Sequence, residues 1–139
     1  MELSVIKKEF PVEQLKELQV GLVYLFGSYA EGMAGEGSDI DVGVVMTDKA
    51  LVKGSITEIY NKLFDVFTDV FDMSNFKTID IVFLDRAPLE LCFDVISHGV
   101  TLYELSTEFR MNFEDHIEAL YRDFYPVLQE FNRALLARI

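Results

Sequence analysis

Apolar residues along the chain recur in two patterns, and together they predict an α/β protein. Short apolar runs of the kind that form buried strands cover residues 20–26, 39–46, 78–84 and 100–103. Apolar positions at helical spacing predict the segments between and after them to be helices. These helices lie at residues 11–19, 28–33, 55–71, 88–98 and from about 106 onward. The order of elements indicates a small mixed sheet of about four strands, flanked by helices and followed by a helical tail.

Two local sequence features predict where helices begin or are interrupted. Ser55-Ile-Thr-Glu58 has the form of a capping box, which predicts the start of the third helix. The tail is rich in aromatic residues and contains Pro126, which is expected to kink or break it. A helix with so many apolar positions either covers the sheet or meets another protein, and the sequence leaves both possibilities open.

Length and composition fit one domain. The chain has 139 residues, half of them hydrophobic, so residues 1–139 are expected to form a single domain with a helical tail at about 106–139. No apolar run is long enough to span a bilayer, and the N-terminus lacks the apolar stretch of a signal peptide. The single cysteine, Cys92, lies in an apolar helical pattern and is expected to be a core residue in a reducing cytoplasm.

The formal net charge is −12, from 24 acidic and 12 basic residues. Such a surface repels the phosphate backbone of nucleic acids, so a direct nucleic-acid partner is not expected. The charge fits an acidic protein acting alone or one that meets a basic partner. Asp65, Asp69 and Asp72 recur on one side of the third helix, and a solvated face is their simplest interpretation.

Three aspartates at strand starts are harder to explain as surface residues. Asp39 and Asp41 are two apart on a predicted strand, so their side chains point to one face. Neighbouring carboxylates repel, which raises a pKa or requires a cation between them. Asp80 is the only charge within Ile79-Asp-Ile-Val-Phe83 and would complete a three-carboxylate cluster if the two strands are neighbours. The alternatives are a strand cap for Ser38-Asp39 and a sheet-edge position for Asp80.

A second feature, Gly27-Ser28, ends the first strand and leads into a predicted helical turn. Exposed backbone N–H groups at such a turn bind anions, and glycine permits the close approach of a phosphate. Three carboxylates could hold two divalent ions on the attacking and leaving oxygens of a displacement. These features together predict phosphoryl or nucleotidyl transfer.

Gly27-Ser28, ten residues and then Asp39-x-Asp41, with Asp80 further on, resembles the signature of the DNA polymerase β-like nucleotidyltransferase superfamily. The fuller string, with Ala30, Gly32 and Ser38, is similar to its minimal nucleotidyltransferase (MNT) branch, whose members include antitoxins paired with HEPN toxins. The resemblance covers most of residues 20–125 and implies the nucleotidyltransferase fold.

The resemblance also implies roles for individual residues. Gly27, Ser28 and Ser38 would bind the nucleotide, and Asp39, Asp41 and Asp80 would be both the catalytic residues and the Mg²⁺ ligands, with two ions expected. AMP would pass from ATP to a hydroxyl, expected to be a tyrosine, of a cognate HEPN toxin. One departure from the family pattern is Glu31, which stands where many relatives have a basic residue.

Other residues that could be mistaken for a site have simpler interpretations. Arg110-x₅-His116 is similar to a HEPN toxin motif, but residues six apart on a continuous helix do not converge, so both are expected at the surface or an interface. His98 is expected to be a helix C-terminal residue favoured by the dipole. Two other functions stay open: an antitoxin that acts by binding alone, and nucleotidyl transfer to a small molecule. The oligomeric state is also open.

Overall fold

The described part of the chain forms four strands and four α-helices in the order α1β1β2α2β3α3β4α4. The structure, a computed structural model, describes residues 6, 9–28, 30–32, 39–73 and 78–138. The bounds are α1 Val12–Glu17, β1 Val20–Phe26, β2 Ile40–Met46, α2 Thr57–Val70, β3 Ile79–Phe83, α3 Leu89–His98, β4 Val100–Glu104 and α4 Thr107–Leu136. Short 3₁₀ helices follow β2 at Lys49–Val52 and β3 at Leu84–Arg86.

The strands form one mixed sheet in the order β3-β2-β1-β4. β1 pairs antiparallel with both β2 and β4, while β2 and β3 run parallel. A parallel pair requires a crossover, and α2 provides it. The predicted four-stranded mixed sheet flanked by helices is therefore confirmed, and each strand lies within one residue of its predicted bounds.

Alternating residues of the central strands feed two apolar layers, because successive side chains of a strand point to opposite faces. On one face, Val42 and Val44 pack in a core with Leu63 and Phe67 of α2. On the other face, Tyr24 and Val45 lie in a second cluster with residues of α3 and α4. Cys92 belongs to that cluster and is 2% exposed, as expected for a core residue. Its thiol donates to the Leu84 carbonyl at 3.2 Å.

The tail is one continuous helix of 30 residues that passes through Pro126. Ser106 caps its start by accepting a hydrogen bond from the Phe109 N–H at 3.0 Å. α4 does not break at Pro126, and a kink there stays a prediction. Proline removes one backbone hydrogen bond, and Gln129 donates to the Tyr125 hydroxyl at 2.9 Å across that position.

Two local predictions also differ from the structure. α2 begins at Thr57 with Ile56 as its cap residue and no side-chain hydrogen bond at the cap, so the capping box does not form. The described residues at 28–33 form turns rather than a regular helix. The Glu31 N–H nevertheless donates to the Gly27 carbonyl at 3.2 Å, as in one helical turn. Across the residues described, no helix has both the length and the apolar character needed to cross a bilayer.

Candidate active site

The end of β1 and the starts of β2 and β3 meet at one edge of the sheet. Asp41, the second residue of β2, is level with Phe26 of β1 on one side and with Asp80 of β3 on the other. Neighbouring strands lie about 4.8 Å apart, so these two carboxylates project side by side from the same face. This is the face that α3 and α4 cover further along the sheet. The strand pairing therefore brings together two of the three predicted aspartates.

Gly27 places the turn after β1 directly against the Asp41 carboxylate. Its φ is +72°, a conformation that side chains rarely adopt. A Cβ at this position would overlap Asp41 Oδ2 and would lie 3.2 Å from Asp41 Cγ. The predicted phosphate-binding turn and the predicted metal ligand are thus in contact. This contact depends on the register of β1 with β2, so no local sequence pattern could have indicated it.

The electrostatics of this edge centre on Asp41. Burial is the main cause that raises the pKa of Asp41, and the negative charges of Asp80 and Asp39 raise it further. Asp39 immediately precedes β2, and both Asp39 and Asp80 are exposed. Asp41 therefore bears the cost of burial beside two like charges, and a bound cation would offset that cost.

The chemistry of the donor set fits a hard cation such as Mg²⁺, which prefers carboxylate oxygens and keeps positions for water and phosphate. In the described part of the chain, however, no three His, Cys, Asp or Glu side chains already converge in an arrangement that would hold a metal. The three-ligand site stays a prediction.

Of the two serines predicted to bind the nucleotide, the structure describes only Ser28. Ser28 is half-buried and directly follows Gly27 in the turn. Ser38 lies outside the described residues, as does most of the glycine-rich loop that precedes it. Glu31 is exposed.

Arg110, which was expected at the surface or an interface, is only partly exposed. The Arg110 guanidinium bridges Glu104 at 3.3 Å and Glu114 at 3.1 Å, while Glu114 also accepts a 2.7 Å hydrogen bond from the buried Tyr24 hydroxyl. Arg110 therefore ties α4 to the sheet. His116 is exposed.

His98 lies in the last turn of α3 and pairs with Asp94 at 3.1 Å, with both side chains largely exposed. This matches its interpretation as a helix C-terminal residue.

Comparison with protein families identifies the class of this chain. The family model described as Polymerase beta, Nucleotidyltransferase matches residues 11–108, which run from α1 to the start of α4. The chain belongs to this nucleotidyltransferase family, as its sequence motif predicted. Comparison with curated protein sequences gives no significant match.

Solved structures with a similar fold include toxin–antitoxin complexes. A chain of a toxin–antitoxin with AMP-PNP is 24% identical with a TM-score of 0.67, over 90% of this chain and 94% of that one. A chain of the tri-AMPylated Shewanella oneidensis HEPN toxin in complex with MNT antitoxin is 22% identical with a TM-score of 0.62, over 90% and 92%. A chain of the toxin–antitoxin MntA–HepT is 22% identical with a TM-score of 0.60, over 90% and 92%. These likenesses establish the fold.

Proposed function

We propose that this chain is an Mg²⁺-dependent nucleotidyltransferase that transfers AMP from ATP to a tyrosine hydroxyl of a HEPN toxin and so acts as its antitoxin. The observation that carries the proposal is the contact of the Gly27 turn with Asp41, beside Asp80 on the next strand. Family membership supports the reaction class. The AMP-PNP complex and the AMPylated HEPN toxin among the similar structures support ATP as donor and a HEPN protein as acceptor.

The site has a phosphate half and a carboxylate half. Backbone N–H groups at Gly27 and Ser28 would bind the triphosphate, with Ser38 as a further donor. Asp39, Asp41 and Asp80 would hold Mg²⁺. Bound there, two ions would neutralise the charge that develops on the attacking and leaving oxygens. Because Gly27 adjoins Asp41, ions held by the carboxylates would lie beside the turn and would help to orient the phosphates of ATP there.

The proposed reaction is an in-line displacement at the α-phosphorus of ATP. A bond forms between the acceptor oxygen and the α-phosphorus, while the bond to the oxygen that bridges to the β-phosphorus breaks, and pyrophosphate leaves. Asp80 accepts the proton of the acceptor hydroxyl. Because Asp80 is exposed on the outermost strand, a side chain presented by another protein can reach it.

The test is to incubate the protein with ATP, Mg²⁺ and a candidate HEPN partner, such as one whose gene is found adjacent, and to weigh the HEPN protein by intact mass spectrometry. We expect a mass increase of one or more AMP groups, on tyrosine by peptide mapping. Asp80→Asn should abolish the increase. Asp65→Asn, on α2 at the opposite face of the sheet, is the matched control and should leave it unchanged.

Cell protection separates catalysis from binding. We expect a variant with Asp39, Asp41 and Asp80 all changed to Asn to lose protection against the toxin while still binding it. Full protection by this variant would mean that binding alone neutralises the toxin. If the HEPN protein gains no mass with any nucleotide, and a small-molecule acceptor gains AMP instead, the proposed acceptor is wrong.

A further inference from the structure

The proposed chemistry uses nothing beyond the first turns of α4, although this helix has the longest apolar pattern in the chain. Its pattern has successive spacings of four, three, four, three and four residues. The positions are Ile117, Tyr121, Phe124, Leu128, Phe131 and Leu135. This 3.5-residue period is the heptad repeat of coiled coils. We call these six residues the α4 stripe.

The α4 stripe is buried at its start and exposed at its end. Ile117 is 6% exposed in the second apolar cluster, and the Tyr121 ring stacks on Phe93 of α3 at 3.8 Å. Phe124 and Phe131 are 51% and 61% exposed, and Leu135 is 47% exposed. The helix therefore carries its apolar seam beyond the body that covers the first half.

An apolar cavity of about 450 Å³ adjoins the point where the cover ends. Pro88, Leu89 and Glu90 from the start of α3, with Phe124 and Leu128 of the stripe, form its walls. Side chains from a second helix that continued the seam would enter this cavity. The exposed half of the stripe is thus shaped to receive another helix.

The exposed half is complementary to itself in the antiparallel direction. A two-fold axis between residues 129 and 130 places Phe124 level with Leu135 of a second copy, and Leu128 level with its Phe131. In an antiparallel pair, each large ring then faces a smaller leucine, as close packing of a seam requires. We propose that two copies of this chain associate through the exposed halves of their α4 helices, packed antiparallel.

The distribution of charge also favours a second copy of this chain against the exposed half of the α4 stripe. The whole chain carries −12, so most surfaces of two copies repel each other. Residues 121–138 have three arginines against two acids, so this segment does not share the negative charge of the whole chain. In the antiparallel register, Arg138 lies level with Tyr121 of the second copy and one turn from its Glu118, which allows an attractive contact across the pair.

The area is sufficient for a specific dimer. Two half-exposed phenylalanines from each copy would bury roughly 100 Å² each. Leucine, valine and tyrosine neighbours on α4 bring the total to the order of 1,000 Å², which is about the minimum for a specific interface and corresponds to a weak dimer. These neighbours are exposed as well: Tyr125, Val127, Leu135 and Leu136.

Oligomeric state tests the proposal directly. By light scattering after gel filtration at tens of micromolar, we expect the full chain to have twice its 15.9 kDa mass. Phe131→Glu should halve that mass, since it places a charge in the seam. Gln129→Glu adds the same charge on the outward side of α4, keeps an oxygen that can accept from the Tyr125 hydroxyl, and should leave the dimer intact. Phe131 is mostly exposed, so the variant is expected to keep the thermal midpoint of the monomer fold.

Cysteine cross-linking tests the register. We expect a disulfide-linked pair when Phe124→Cys and Leu135→Cys chains are mixed, and none from Phe124→Cys alone. In the antiparallel pair, position 124 of one copy would be eleven residues from position 124 of the other, about 16 Å along the helix, too far for a disulfide. The buried Cys92 is present in both variants and serves as their common background.

Three results would overturn the proposal. The first is a monomer mass for the unaltered chain at these concentrations. The second is cross-linking of Phe124→Cys to itself, which would mean parallel helices. The third is a Phe131→Glu variant whose only defect is loss of binding to the HEPN protein, which would assign the stripe to that partner. The first two results do not bear on AMP transfer, and the third would lower transfer to the HEPN protein without changing the carboxylate site, so the two proposals are tested separately.

Discussion

Two half-buried aspartates lie toward opposite ends of β2 and differ in what surrounds them. Burial raises the pKa of both Asp41 and Asp85. Asp85, after β3, accepts a 2.7 Å hydrogen bond from the Met46 N–H, and the charge of Lys49 further offsets its burial. Asp41 instead has two more carboxylates beside it, Asp80 and Asp39. The first arrangement offsets burial with a backbone donor and a nearby cation, whereas in the second the like charges add to the cost of burial.

This contrast shows how structural and functional acids can be separated in one sheet. A buried carboxylate is not by itself a site, because a backbone donor can satisfy it, as at Asp85. Like charges around a half-buried carboxylate lower the stability of the fold, so such a cluster points to a ligand-binding site. Three predictions test the contrast, from the largest expected effect to the smallest.

Exchanging each carboxylate for its amide should separate the two aspartates most strongly. We expect Asp41→Asn to lower kcat/KM for AMP transfer by about 100-fold or more, the scale of losing a preorganised charge-stabilising group. Asp85→Asn keeps an oxygen that can accept the Met46 N–H, so activity should remain within a few-fold of the original. Steady-state transfer of radiolabelled AMP measures both, and equal losses would remove the distinction.

The close contact of Gly27 with Asp41 should appear as a stability difference between two glycines. Gly27 and Gly32 have nearly the same positive φ, +72° and +73°, but only Gly27 has the carboxylate where a Cβ would lie. We expect Gly32→Ala to cost about 1 kcal/mol from the backbone alone. Gly27→Ala should cost about 2–3 kcal/mol, because overlap adds to the same strain. Urea unfolding of both variants measures the difference, and equal costs would contradict the contact.

The smallest expected effect is on the pH dependence of stability. The pKa of Asp41 is raised from its ordinary 3.8, so the folded chain keeps this proton to higher pH than the unfolded chain. Its contribution is therefore fully present below 3.8 and is lost as pH rises through the folded-state pKa. At neutral pH, Asp41→Asn should be more stable than the unaltered chain by less than about 1 kcal/mol, since solvent screens this edge.

Magnesium provides the control for that measurement. We expect Mg²⁺ at neutral pH to raise the thermal midpoint of the unaltered chain and to raise that of Asp41→Asn less. Asp85 is present in both proteins, so its own raised pKa cancels in the comparison. An identical response of the two proteins to Mg²⁺ would mean that Asp41 does not bind the ion.

Most of the fold could be predicted because apolar periodicity directly reflects burial. The four strands alternate or run apolar over their full lengths, and their bounds follow within one residue. Local signals were less reliable where side-chain contacts compete with them. α4 continues through Pro126 despite the backbone hydrogen bond that proline removes, and Ser55 forms no cap because α2 starts at Thr57 with Ile56 as its cap residue.

The candidate site was predictable as a set of residues but not as a geometry. Asp41 and Asp80 stand out because they are charges within apolar strands. Their pairing depends on which strands are neighbours, and the contact of Gly27 with Asp41 depends on register, both of which are set by the whole core. Ser38 lies outside the described residues, so its predicted role is untested.

The register of β3 has a consequence for how such a protein can evolve. Ile79, Ile81 and Phe83 fill the core that α2 covers, which leaves Asp80 between them on the other face, level with Asp41. A slip of one residue would bury Asp80 and expose the three apolar side chains, so it is excluded by the hydrophobic core itself. Selection for foldability and selection for chemistry therefore act on the same alternation, and neither can drift without the other.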